Sequence, residues 1–169
     1  MIELKDLPKL TSYGNYTVDV DFSRILSTID HWISEGLIME PDFQRAHVWT
    51  KKQQTSFIEF ILRGGQVPLL LFNQPHWPSA NEDWFCVDGL QRITAIRAFM
   101  NNKIKAYGSF SREYDINVFK HFWLKVCVNN LTTREEVLNW YLEVNAAGTP
   151  HTKKDIEKVK QLLEKTKKS

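Results

Sequence analysis

Two short clusters of polar side chains have residue types and spacing that could do chemistry. The first is Asp88-Gly89-Leu90-Gln91-Arg92, which follows the apolar run Phe85-Cys86-Val87 and precedes Ile93, Ile96, Phe99 and Met100 at helical spacing. A strand–turn–helix of this form aims unpaired backbone N–H groups and the positive end of a helix at one point, which suits an anion. Gly89 would let a ligand approach the backbone closely. Arg92 offers a planar fork matched to phosphate oxygens, and Asp88 a carboxylate that could hold Mg²⁺ or position a water. The competing reading is local: Asp-Gly is a common turn pair, and Arg92 would then be a solvated helix residue. The second cluster, Pro41-Asp42-Phe43-Gln44-Arg45, packs an acid, an amide and a guanidinium into four residues ahead of Trp49 and a helix start. Here the competitor is a structural ion pair of Asp42 and Arg45 that fixes the turn. His47, two residues beyond Arg45, could approach the same ligand.

Taken together, the two clusters resemble the GmrSD restriction endonuclease N-terminal domain family, a branch of the ParB/sulfiredoxin-like fold. In that family a P-x-Y/F-Q-R segment lies upstream of a D-G-Q-Q-R loop. Between them this chain has Phe57, Ile58, Ile61 and Leu62 at helical spacing, then Gly64-Gly65, then Val67-Pro68-Leu69-Leu70-Leu71-Phe72, as the family pattern requires. A third match is Asn145-Ala146-Ala147-Gly148-Thr149-Pro150, similar to the family's N-x-x-G-x-P/L segment. The resemblance spans roughly residues 17 to 163. Two departures stand out. Leu90 replaces the first Gln of the family loop, and the chain ends where many relatives continue into a nuclease domain, so DNA cleavage by that domain is not implied.

The resemblance implies a single α+β domain with a small mixed sheet surrounded by helices. It implies that Arg92 clamps phosphate, Gly89 admits it, and Gln91 hydrogen-bonds phosphate or an attacking water. Asp88 would coordinate Mg²⁺ or act as base, with Gln44 and Arg45 bracketing a nucleoside triphosphate from the opposite wall. Asp42, His47 and Asn145 would be accessory, although Asn145 and Gly148 also have a simple account as a helix ending. The expected function is nucleoside-triphosphate binding with hydrolysis or transfer of phosphate, in DNA restriction, DNA modification or phage–host conflict. Two others stand beside it: a metal-dependent nuclease working through Asp42 and Asp88, and a non-catalytic nucleotide sensor or decoy engaging a restriction partner. Leu90 leans towards the last, because a lost polar group can mean lost turnover.

At 169 residues with 43% hydrophobic and 12% aromatic content, the chain can bury one core. No apolar run approaches a membrane span and the N-terminus has no signal-peptide pattern, so a cytoplasmic protein is expected. Cys86 and Cys127 lie in apolar runs and read as buried reduced thiols, and neither they nor the five histidines show zinc spacing. The net charge of +2 is unevenly placed, since residues 153 to 168 hold seven Lys against three acids. That basic segment reads as a solvated helix face or as a contact for the DNA backbone.

Positioning the two clusters falls to a short list of elements. Residues 1 to 16 read as a loosely attached arm and 17 to 169 as the domain, with two C-terminal helices from about residue 132. Periodicity predicts helices over Phe22–Glu35, from Thr50 to Gly64-Gly65, over Gln91–Asn101, from Thr132 and from Thr152. Thr50 and Gln53, and Thr132 and Glu135, have capping-box form. Val67–Phe72, Phe85–Val87 and Phe122–Val128 are continuously apolar, as expected of strands covered on both faces. Asn73–Asp83 reads as a surface loop, in which Trp77 packs locally or offers a stacking platform for a base. Residues 102 to 121 read as a hydrophilic connection.

Overall fold

The three apolar runs pair side by side. In the computed structural model, which describes residues 15–44, 48–75, 84–146 and 153–168, β3 (Leu70–Asn73), β4 (Trp84–Asp88) and β5 (Trp123–Asn129) share one sheet with β1 (Tyr16–Asp21) and β2 (Leu37–Ile38). The strand order is β1-β5-β3-β4-β2. β1 runs antiparallel to β5 and β3 antiparallel to β4, while β3–β5 and β2–β4 are parallel, so the sheet is mixed. All four residues of the central strand β3 are buried, which is why its sequence is not amphipathic.

Alternation along the strands divides the apolar side chains between two cores. Leu70, Phe72, Cys86, Leu124, Val126 and Val128 join Ile25 and Ile29 of α1 (Ile25–Ser34), Ile58 of α2 (Lys51–Leu62) and Ile96 of α3 (Leu90–Met100). Leu71 and Val87 point to the other side. They join Phe43, Leu138 and Tyr141 of α4 (Arg134–Ala146), and Val159 of α5 (Lys153–Lys168). The chain is therefore one small α+β domain, with helices on both sides of a mixed sheet.

Local signals account for the starts of α2 and α4. Thr50 accepts from the Gln53 N–H while the Gln53 side chain accepts from the Thr50 N–H, which closes the capping box of α2. At α4 the box forms one residue later than expected. Glu136 Oε2 accepts from the Thr133 N–H at 3.0 Å, and Thr133 Oγ1 accepts from the Glu136 N–H at 3.2 Å. Both spacings fit the pattern in the sequence, and the register of the β5–α4 connection chooses between them.

Three other placements differ from the sequence reading. Tyr16–Asp21, to which no strand was assigned, forms the edge strand β1, whose Thr17, Val18 and Asp19 are exposed and give no strong apolar signal. Asn73 belongs to β3 rather than to a surface loop. It is fully buried, and its side chain donates to the Leu131 carbonyl at 3.0 Å and accepts from the Leu131 N–H at 2.9 Å. Residues 102 to 121 contain two 3₁₀ helices, Ser111–Glu113 and Ile116–His121, the second of which buries Phe119 in the core. Trp77 lies outside the described residues.

Candidate functional site

The turn between β4 and α3 is built around Gly89. Asp88 closes the ladder opposite Leu71, Gly89 takes φ +138°, and its carbonyl accepts the Ile93 N–H at 2.9 Å to begin the helix. A Cβ on Gly89 would lie 2.8 Å from Leu70 Cδ2. The glycine is thus demanded from within, by the backbone conformation and by Leu70, before any ligand is considered. The turn leaves the first amides of α3 without intrahelical partners.

Arg92 points inward. Its residue is 8% exposed, and its guanidinium donates to the Pro68 carbonyl at 2.6 Å, the Leu69 carbonyl at 3.1 Å and Asp88 Oδ2 at 2.7 Å. The expected phosphate clamp is therefore a brace. It satisfies the carbonyls just ahead of β3 and ties the end of β4 to the first turn of α3. Asp88 keeps 40% of its side chain exposed beside that brace. The carboxylate is the accessible member of the pair, with a cation held behind it.

Gln91 and Gln44 bring the two sequence clusters together. Gln91 Oε1 accepts from the Val48 and Trp49 N–H groups at 2.9 and 3.1 Å, fastening the segment after the Pro41 cluster to the start of α3. Gln44 Nε2 donates to the Val87 carbonyl at 3.4 Å, while its buried Oε1 has no hydrogen-bond partner among the described residues. Gln44, Val87, Asp88, Leu90, Gln91, Tyr141 and Asn145 line a cleft of about 40 Å³, room for a few water molecules.

Two of the remaining candidates are described. Asp42 faces α4 and pairs with Arg134 at 2.6 Å, so its described partner is an arginine far along the chain. Asn145 lines the cleft, and its Nδ2 donates to the Tyr141 carbonyl at 2.7 Å, a bond within α4. Arg45, His47 and Gly148 lie outside the described residues.

Val87, Tyr141 and Leu90 are the cleft residues that sequence reasoning missed as site-forming. Tyr141 was legible only as an apolar position of α4. Leu90, noted as a departure from the family loop, is 5% exposed and makes that stretch of wall apolar. Beneath the cleft, Cys86 is wholly buried. Burial, and then the negative charge of Asp88, push its thiol up to about 12, against a smaller opposing effect of a hydrogen bond from Gln44. It is an inert core group at neutral pH.

The arrangement can offer a partly exposed carboxylate and an unpartnered amide oxygen to one small ligand group. A search of curated proteins finds no match to the chain. The family model for the GmrSD restriction endonuclease N-terminal domain matches residues 26–165, which include both polar clusters, the cleft between them and the helices that cover it. The chain belongs to the GmrSD restriction endonuclease N-terminal domain family.

Proposed function

We propose that this domain binds a nucleoside triphosphate at the cleft between Gln44 and the Asp88–Gln91 turn, and hydrolyses it or transfers its phosphate. The family places the chain in a restriction-system context. The observation that carries the proposal is the buried Gln44 Oε1, an acceptor without a described partner beside the amide-rich start of α3. Leaving such an atom unpaired costs about 1–3 kcal/mol, which a donor on a ligand recovers.

The donor set fits a hydrated Mg²⁺. Asp88 would hold the cation, and a metal-held water suits the orphaned Gln44 oxygen, since Mg²⁺ keeps several waters and binds through one or two carboxylates plus phosphates. Bound there, the cation would neutralise charge on the phosphates. The protein's own part is positioning. Arg92 orients Asp88, the positive end of α3 would stabilise the phosphate charge, and Gln91 keeps the Val48–Trp49 segment in place. A cleft of about 40 Å³ admits only one end of a nucleotide, so base and ribose would lie outside it. DNA would meet the domain at the lysine-rich α5.

The metal-dependent nuclease has less support. Asp42 and Asp88 are engaged by different arginines, and no group of three His, Cys, Asp or Glu residues converges among the described residues.

Calorimetry with each nucleoside triphosphate across a range of Mg²⁺, together with a product assay with and without DNA, tests the reading. Binding by the wild type, and binding without turnover by Asp88→Asn, are expected, because Asn can still accept from Arg92 while losing the negative charge. No heat with any triphosphate would overturn the proposal. Wild-type binding without turnover would favour the sensor or decoy.

A further inference from the structure

A second face of the molecule, away from the cleft lining, combines basic and aromatic side chains along α2. Lys51, Thr55, Glu59 and Arg63 recur every fourth residue and form one stripe of that helix. The 103–112 segment lies against the middle of the stripe. Thr55 Oγ1 donates to the Lys105 carbonyl at 3.1 Å, the Tyr107 N–H to Glu59 Oε1 at 2.9 Å, and the Tyr107 hydroxyl to the Glu59 carbonyl at 3.2 Å. Tyr107 is therefore pinned at both ends yet 56% exposed, and Phe60 one position along α2 is 48% exposed.

Tyr107 also sits at φ +48°, a strained conformation for an aromatic residue. Lys105 and Arg112 both lie over the Phe110 ring, 4.7 and 5.3 Å from its centre. Lys51, Lys52, Arg63, Lys103, Lys105 and Arg112 are all exposed, and none pairs with a carboxylate among the described residues. Against these six cations the face has two acids, Glu59 and Glu113, each accepting a backbone N–H of the same segment. The chain as a whole is only +2. The positive charge is concentrated here and on α5.

The geometry points to a single-stranded nucleic acid as the occupant of this face, its phosphates on Lys51, Arg63, Lys105 and Arg112 and a base stacked on Tyr107. Charge complementarity selects a polyanion. The exposed, immobilised Tyr107 selects unstacked bases, because a duplex buries its base faces. The stripe is roughly 18 Å long, enough for several nucleotides. It ends at Lys51, next to the Val48–Trp49 segment that Gln91 fastens, so a strand laid along it would lead towards the rim of the cleft.

Fluorescence anisotropy with labelled single-stranded and duplex oligonucleotides of the same sequence, without nucleoside triphosphate or Mg²⁺, tests this independently of the proposed nucleotide site. Wild type should prefer the single strand. Tyr107→Asn, which tolerates the positive φ, should weaken single-strand binding by about tenfold, and Tyr107→Phe should retain it. Lys105→Glu with Arg63→Glu should weaken it further and flatten its salt dependence, while Lys125→Glu, a reversal on the side of the sheet away from α2, should change it little. Circular dichroism of each variant establishes that it is folded. Equal binding of duplex and single strand with no effect of Tyr107→Asn, or unaltered binding by the Lys105/Arg63 variant, would overturn the assignment.

Discussion

The Arg92 guanidinium and the Asp88 carboxylate meet at 2.7 Å across the β4–α3 turn, with the cation 9% and the anion 40% exposed. Because Arg92 also donates to the Pro68 and Leu69 carbonyls, one side chain holds the approach to β3, the end of β4 and the start of α3. Arg92→Ala should cost about 2–4 kcal/mol in denaturant unfolding, since it leaves two carbonyls and a carboxylate without their donor. Arg92→Lys should recover only part of this, because an ammonium cannot reproduce the planar fork. If Arg92→Ala unfolds like wild type and loses only nucleotide binding, the brace is not its role.

Gly89→Ala should destabilise the domain by about 1–3 kcal/mol through its positive φ and the clash of the new Cβ with Leu70 Cδ2. Leu70 is fully buried, so Leu70→Ala alone should cost about 2–5 kcal/mol. The double variant should cost less than the two single effects combined, because shortening Leu70 removes the clash and the new methyl fills part of the space. Strict additivity would show that backbone conformation alone demands the glycine.

Gln44→Leu separates stability from function. Removing an unpartnered buried acceptor should leave thermal stability unchanged or raised, at the loss of only a long bond to the Val87 carbonyl. Triphosphate binding should fall by about tenfold if that oxygen takes a donor from the bound complex. A clear drop in melting temperature would show that the amide is structurally satisfied in solution.

The Asp42–Arg134 pair is exposed at both ends and should contribute less than about 1 kcal/mol. Asp42→Asn should therefore fold normally and keep triphosphate binding. Loss of a DNA-cleaving activity in that variant would instead favour the nuclease reading.

Cys86 sets a stability limit at alkaline pH. Its folded thiol, raised by burial and by Asp88, stays protonated to about 12, whereas an unfolded thiol ionises near 8.5. A folded value above the unfolded one favours the native state fully below the lower value, and the advantage is lost as pH rises from one to the other. Stability should fall between about pH 9 and 12, by on the order of 1 kcal/mol per pH unit from this group. Cys86→Ala should remove this part of the decline in urea titrations, despite a lower stability overall.

The three central strands, the start of α2 and the turn into α3 were legible because each rests on a local rule. Continuous apolar runs marked β3, β4 and β5, Thr50 with Gln53 marked α2, and Asp88-Gly89 marked the turn into α3. The grouping of Gln44 with Asp88 and Gln91 was expected only through three motifs in family order, since nothing local joins residues more than forty positions apart. Tertiary packing decided where the charged groups turned. Asp42 meets Arg134, 92 positions away, and the direction of Arg92 was set by two carbonyls that precede β3 and lack ladder partners there. A guanidinium at a helix start can face solvent, ligand or the protein interior with the same sequence around it. Unsatisfied backbone acceptors within its reach settle which, and they exist only once the sheet has formed.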